Sequence, residues 1–132
     1  MNHLKKSKKS KKSKIIKTSC AVSTFDKYDI IHISVLNPTN KCCRGTVKVI
    51  DWTDANNGVV VSDEPFQLSC ARKDYNVTAI GEHYEVMYCT NDPNCCVSFY
   101  ALTSEGPNEP FGEETFGFTP NQFVKISSHC LC

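Results

Sequence analysis

The stretch Asp29-Ile30-Ile31-His32-Ile33-Ser34-Val35-Leu36 indicates the fold of this chain most clearly. Aliphatic side chains at every second position alternate with His32 and Ser34, a period of two that is typical of a half-buried β-strand. Residues 37–40 read Asn-Pro-Thr-Asn, which favours a turn. We therefore predict a strand that ends in a tight turn.

Comparable segments recur along the chain at intervals of about ten residues, separated by turn residues. The clearest loop is Asp54-Ala55-Asn56-Asn57-Gly58. No segment shows sustained helical spacing. The candidate strands are residues 29–36, 45–52, 59–61, 66–70, 75–79, 82–89, 96–102, 115–118 and 122–127. These segments predict an all-β fold, an antiparallel β-sandwich or jelly roll of about eight strands.

Charge is divided unevenly along the chain. The first 17 residues contain eight lysines and no acidic residue, whereas the remainder contains seven basic and fourteen acidic residues. Residues 5–13 repeat Lys-Lys-Ser, and such a block of like charges is expected to be disordered. We predict a disordered Lys/Ser-rich arm over 1–19, a β-sandwich domain over 20–128 and a cysteine-containing C-terminal tail over 129–132.

The basic arm is a candidate contact surface with several candidate partners. It fits nucleic acid or another polyanion, an anionic membrane or polysaccharide surface, or the acidic body of a neighbouring subunit. A tail that only increases solubility is the remaining interpretation. No aromatic residue interrupts the lysines, so we expect any nucleic-acid binding to be independent of base sequence. The candidate arm contacts are Lys5, Lys6, Lys8, Lys9, Lys11, Lys12, Lys14, Lys17, Ile15 and Ile16.

Nine cysteines are candidates for disulfides or cross-links: Cys20, Cys42, Cys43, Cys70, Cys89, Cys95, Cys96, Cys130 and Cys132. Consecutive residues of a strand point to opposite faces. One sulfur of each adjacent pair is therefore expected to face inward, where it can bridge within the domain, and the other to face a second subunit. Because nine is an odd number, at least one thiol stays free or bonds elsewhere. The terminal cysteines are expected to cross-link neighbouring subunits.

Two other interpretations of the cysteines stay open. Cys70 and Cys89 fall in alternating patterns and fit equally well as small buried apolar residues. The sequence His129-Cys130-Leu131-Cys132 has side chains that bind soft metals, but paired zinc knuckles and Cys-x-x-Cys are absent from the sequence. We therefore predict disulfides, with no metal site and no cofactor.

The sequence contains no motif for catalysis or membrane insertion. No nucleophile motif or glycine-rich phosphate loop is present, so we expect a protein that is not an enzyme. No apolar run approaches the ~20 residues of a membrane span. Only Ile15 and Ile16 follow the lysines, so we expect no secretory signal. Abundant cysteine is nevertheless typical of oxidising compartments.

Several short segments carry a resemblance to a known group of proteins. They are Ile31 to Asn40, Thr46 to Trp52, His83 to Val86, Phe99 to Leu102 and Gln122 to Ile126. Together they resemble β-rich proteins of spore-forming Gram-positive bacteria, and in architecture the chain is similar to subunits of endospore appendages. Those are jelly-roll proteins with a flexible N-terminal connector, joined into fibres by strand augmentation and inter-subunit disulfides. Their connector tends to carry cysteines, whereas this arm carries lysines, and the only nearby cysteine is Cys20, where the arm joins the body.

The resemblance implies a function and a location. It implies a structural subunit that self-assembles into a disulfide-stabilised spore-surface layer or fibre, with itself and other spore-surface proteins as partners. It implies a place in the coat, exosporium or appendage, reached without a signal when the mother cell lyses. The alternative is a jelly-roll binding or coat module whose arm engages nucleic acid or another polyanion.

Overall fold

The computed structural model describes residues 14–23, 28–78, 80–103 and 114–132. These residues form ten β-strands and one 3-10 turn at Pro120–Gln122. No helix among the described residues is long and apolar enough to cross a membrane. The strands are β1 Ile15–Thr18, β2 Val22–Ser23, β3 Tyr28–Asn37, β4 Cys43–Asp51, β5 Val59–Leu68, β6 Ala71–Thr78, β7 His83–Thr90, β8 Cys96–Thr103, β9 Glu114–Phe118 and β10 Val124–Ile126.

The strands form two antiparallel sheets packed face to face. Sheet A has the order β10-β1-β7-β4-β5, with β2 also paired to β7, and sheet B has the order β6-β3-β8-β9. Ile31, Ile33 and Val35 of β3 are buried between the sheets, and so are Tyr84 and Tyr88 of β7. These are positions at which the sequence alternates. The prediction of an all-β antiparallel sandwich is confirmed.

Strand β5 joins two segments that the sequence predicts as separate strands, residues 59–61 and 66–70. Pro65 lies inside the strand, and among the described strands β5 is an edge of sheet A that pairs only with β4. An edge strand forms ladder bonds on one side only, so a residue without an N–H can be accommodated there. The strand ends at Leu68, and the chain then crosses to sheet B through Cys70, whose φ is 51°.

The first strand corrects a predicted boundary. The sequence prediction assigns Ile15 and Ile16 to the disordered arm, but both belong to β1, which lies between β7 and β10. Ile15 is opposite Thr90, and Ile16 is opposite Cys89. Two isoleucines beside lysines show no local strand pattern, so the strand depends on its distant partners. The part of the arm in residues 1–13 lies outside the described residues.

The outer face of sheet A is also covered. Glu85, Met87 and Cys89 alternate with the core residues of β7 and are nevertheless buried. Residues 127–132, here called the C-terminal segment, place Leu131 against a cluster that includes Ile16, Ile50, Met87 and Cys89. The segment that the sequence predicts as a separate tail is therefore part of the folded body.

Candidate functional site: surface thiols and an acidic cleft

The two adjacent cysteine pairs divide between the interior and the surface. Cys43 of β4 and Cys95, which precedes β8, are buried and form a disulfide that links the two sheets. Their neighbours are free: Cys42 is exposed and Cys96 is partly exposed. The expectation of one inward and one outward sulfur in each pair agrees with this arrangement, because the strand alternates its side chains.

Three free thiols lie at one end of the sandwich, here called the cysteine-rich end. Cys42 directly precedes Cys43, which lies opposite Leu68 at the end of β5. Cys96 lies opposite Leu36, near the end of β3. The N–H of Cys70 donates to the carbonyl oxygen of Thr39 at 2.7 Å, which places Cys70 beside the same loop. Cys70 is exposed. The interpretation of Cys70 as a buried residue is wrong, because the strand ends before it and the chain turns there.

The other two free thiols lie elsewhere on the surface. Strand β1 begins opposite Thr90, at the cysteine-rich end, and ends with Thr18 opposite Met87. Cys20 follows β1 and is exposed at the opposite end, with a φ of 61°. Cys130 is exposed in the C-terminal segment. Free thiols therefore occur at both ends of the sandwich.

The last cysteine has a partner within its own chain. Cys132 forms a disulfide with Cys89, so it is not a free cross-linking position as the sequence predicts. Cys89 is buried, as its alternation suggests, and it is also bridged. The soft-metal interpretation of residues 129–132 is also disfavoured, because two of its candidate ligands already have partners within the chain. Cys132 is bonded to Cys89, and His129 contacts Glu85. No group of three or more possible metal ligands occurs in the described part of the chain.

The arm candidates divide at the start of β1. Lys5, Lys6, Lys8, Lys9, Lys11 and Lys12 lie outside the described residues. Lys14 directly precedes β1, and Lys17 lies opposite Lys125 of β10. Ile16 is buried against the outer face of its own sheet A. The hydrophobic contacts of Ile16 are therefore made within its own chain and not with a neighbour.

Sequence reasoning missed a buried carboxylate, Glu85. Its Oε2 accepts a hydrogen bond from the hydroxyl group of Thr18 and lies 2.9 Å from His129 Nε2. Its Oε1 accepts the indole N–H of Trp52 at 2.9 Å. Glu85 is only 5% exposed, and three segments far apart in sequence supply its partners. The only local signal is that Glu85 shares a strand face with Met87 and Cys89.

Glu85 lines a cleft of about 560 Å³. The cleft lies at the end of the sandwich opposite the cysteine-rich end, between β1, β7 and the loop that follows β4. Its lining residues are Thr18, Cys20, Ala21, Trp52, Thr53, Ala55, His83 and Glu85. A single buried carboxylate therefore shares the cleft with apolar side chains, hydroxyl groups, a thiol and the imidazole of His83.

Comparison with protein-family models and with curated proteins gives no relative for this chain. No protein-family model matches it, and a search of curated proteins finds no significant match. The residues of the chain itself are therefore the basis for its proposed function.

Proposed function

We propose that this protein is a non-enzymatic structural subunit that self-assembles and is locked by inter-subunit disulfides. The placement of its cysteines carries the proposal. Two disulfides use four buried or tail cysteines inside the chain, and five thiols stay free, four of them exposed. A subunit with free thiols at both ends of a rigid body can be cross-linked to more than one neighbour.

The internal disulfides suit a durable subunit. Cys43 and Cys95 are separated by 52 residues in sequence. On the chain-entropy model, closing a loop of this length stabilises the folded state by about 4 kcal/mol. The exposed thiols are not needed for this stabilisation, which leaves them available for exchange with other chains.

One sheet edge supports association between copies. Val59, Val60 and Val61 of β5 are 50%, 38% and 39% exposed. They lie on an edge strand, where backbone groups are free on one side to pair with another chain. Exposed aliphatic residues on a long edge strand favour the addition of a strand from a neighbour.

The charge distribution also supports association between copies. The first 17 residues carry eight lysines, seven of them before β1, and the remainder has seven more acidic than basic residues. Opposite charges on two parts of one chain attract copies to each other at low ionic strength. The acidic body of a second subunit is therefore our preferred partner for the arm.

We place the assembly on the spore surface, in a coat, exosporium or appendage. The resemblance to β-rich proteins of spore-forming bacteria supports this location. Release by lysis of the mother cell would expose the protein to oxidising conditions without export. Oxidation after assembly then accounts for the abundance of cysteine in the chain.

Gel electrophoresis with and without thiol tests the proposal. The full chain is purified, its free thiols are blocked with N-ethylmaleimide immediately before denaturation, and the two lanes are compared. We expect a ladder, or material that does not enter the gel, that collapses to the monomer with thiol. Electron microscopy of the same sample should show a layer or fibre.

A matched variant separates free thiols from structural ones. It replaces five residues by serine: Cys20, Cys42, Cys70, Cys96 and Cys130. This variant keeps both internal disulfides, and we expect it to run as a monomer in both lanes. A wild-type chain that is monomeric without thiol contradicts the proposal. If that monomer binds nucleic acid with a steep salt dependence, the coat-module alternative is favoured instead.

A further inference from the structure

We propose that the cleft above Glu85 is a binding site for a primary alkylammonium group. This inference goes beyond self-assembly and does not require disulfide cross-links. It rests on three features of the cleft: an acceptor position left open on a buried carboxylate, a lining without lysine or arginine, and a wall formed by Trp52.

The first feature is the open acceptor site. A carboxylate offers about four lone-pair positions, two on each oxygen. Oε2 of Glu85 is occupied by Thr18 and His129, whereas Oε1 has one donor among the described residues, Trp52. Both Glu85 and Trp52 line the cleft. A ligand in the cleft that carries an N–H group can therefore donate a hydrogen bond to the remaining acceptor position of Oε1.

The second feature is the sign of the charge. Among the eight described residues of the lining, Glu85 is the only carboxylate, none is a lysine or an arginine, and His83 is the only basic side chain. The segments that contribute to the lining, residues 18–21, 50–58 and 80–85, add Asp51, Asp54 and Glu82 and contain no lysine or arginine. Such a site favours a cation and disfavours phosphate or carboxylate ligands.

The third feature separates an organic cation from a metal ion. A metal site needs several ligating side chains with suitable geometry, and no group of three occurs among the described residues. Trp52, Ala21 and Ala55 instead provide apolar surface for an alkyl chain. An aromatic ring beside a carboxylate also attracts an ammonium group through its π-electrons.

Fluorescence of Trp52 reports on this site directly, because the chain contains one tryptophan. The monomeric full chain is isolated by gel filtration and titrated with n-butylammonium chloride. Titrations with sodium chloride at equal ionic strength and with n-butanol are the controls for screening and for apolar contact. We expect a saturable change in emission with n-butylammonium and no saturable change with either control.

Variants assign the signal to the carboxylate. Glu85→Gln removes the charged acceptor of the proposed hydrogen bond. It should weaken n-butylammonium binding by about tenfold or more. Glu64→Gln removes a carboxylate on β5, outside the cleft lining and its flanking segments, and it should bind as the wild type does. If Glu85→Gln does not fold, Ala55→Arg is the test variant, and it should bind n-butylammonium more weakly than the wild type. It brings a competing cation to the rim of the cleft without altering a partner of Glu85.

The same titration distinguishes two sources of the ammonium group. A synthetic peptide of residues 5–14 supplies lysine side chains in the context of the arm. Tighter binding of this peptide than of n-butylammonium, per ammonium group, indicates the arm as the ligand, and equal binding indicates a free amine. The proposal is overturned if the wild type shows no saturable change at tens of millimolar n-butylammonium, or if Ala55→Arg and Glu85→Gln respond as strongly as the wild type.

Discussion

His129 Nε2 lies 2.9 Å from Glu85 Oε2, and both side chains are buried. This contact joins the C-terminal segment to the central strand of sheet A. It lies on the same outer face as the Cys89–Cys132 disulfide and the packing of Leu131. The C-terminal segment is therefore attached by a polar contact, a covalent bond and an apolar contact.

Replacement of His129 by alanine should destabilise the protein. The change leaves a buried carboxylate with one donor fewer, which costs about 1–3 kcal/mol. Urea unfolding measures the effect as a lower midpoint with an unchanged slope. Ser128→Ala, at an exposed neighbouring position, is the matched control and should change the midpoint little. Equal midpoints for the two variants would show that the contact does not contribute to stability.

Removal of the second disulfide should loosen the C-terminal segment. Cys89 and Cys132 are 43 residues apart, and the double replacement by alanine should lower stability by up to about 4 kcal/mol. It should also increase binding of the dye ANS, because Leu131 then no longer holds its place over Ile16 and Met87. Cys130→Ser, an exposed position in the same segment, should leave both measurements unchanged.

The strands and their inner faces were predictable because they depend on local alternation. Ile33 of β3 and Val86 of β7 lie in segments where apolar residues recur at every second position, and both are buried in the core. Strand β1 was not predictable, because it exists through pairing with β7 and β10. Its own sequence offers two isoleucines among lysines.

The site was less predictable than the fold. Spacing alone cannot pair nine cysteines, and the adjacency of Cys42 and Cys43 indicated only that one of their two sulfurs faces inward. The cleft depends on Thr18 and Glu85, which are 67 residues apart in sequence. Such contacts leave no periodic signal, since each partner is a single residue in a different segment.

Gly45 should not tolerate even alanine. A Cβ built at this position would lie 2.0 Å from the carbonyl oxygen of Cys89, so the β4 and β7 backbones would have to separate. We expect Gly45→Ala to cost more than about 2 kcal/mol or to prevent folding, as overpacking of a close contact does. Gly117 is the matched control, because a Cβ there meets no atom within 4 Å. Urea unfolding of Gly117→Ala should resemble that of the wild type, and similar losses in both variants would contradict this explanation.

Stability should depend on Asp63 at acidic pH. Hydrogen bonds from Thr46 and Lys48 lower the pKa of Asp63 below its ordinary value of 3.8. The folded state therefore gains stability from the ionised carboxylate above pH 3.8, and this contribution is lost as the pH falls through the lowered pKa. Because Asp63 is exposed, we expect the effect on stability to be small.

The carboxyl pKa of Asp63 can be measured directly by NMR titration. Thr46→Val removes the hydroxyl that donates to Asp63 Oδ1 at 2.6 Å and should raise the pKa of Asp63 toward its ordinary value. Thr46→Ser keeps a hydroxyl and should preserve most of the lowering. An unchanged pKa in Thr46→Val would assign the lowering to Lys48 alone.

A charge on the exposed edge of sheet A should impede assembly without unfolding the subunit. Val60 lies on β5 and is 38% exposed, so Val60→Lys places an ammonium group where a neighbouring strand would pair. Leu36→Lys is the matched control, because Leu36 is 40% exposed but lies on β3, which is flanked by β6 and β8.

Both changes are made in the chain whose five free cysteines are serine, so that association is measured without cross-links. Analytical ultracentrifugation should show weaker self-association for Val60→Lys than for Leu36→Lys. Equal weakening by the two lysines would indicate a general charge effect, and the edge of β5 would then not be the contact.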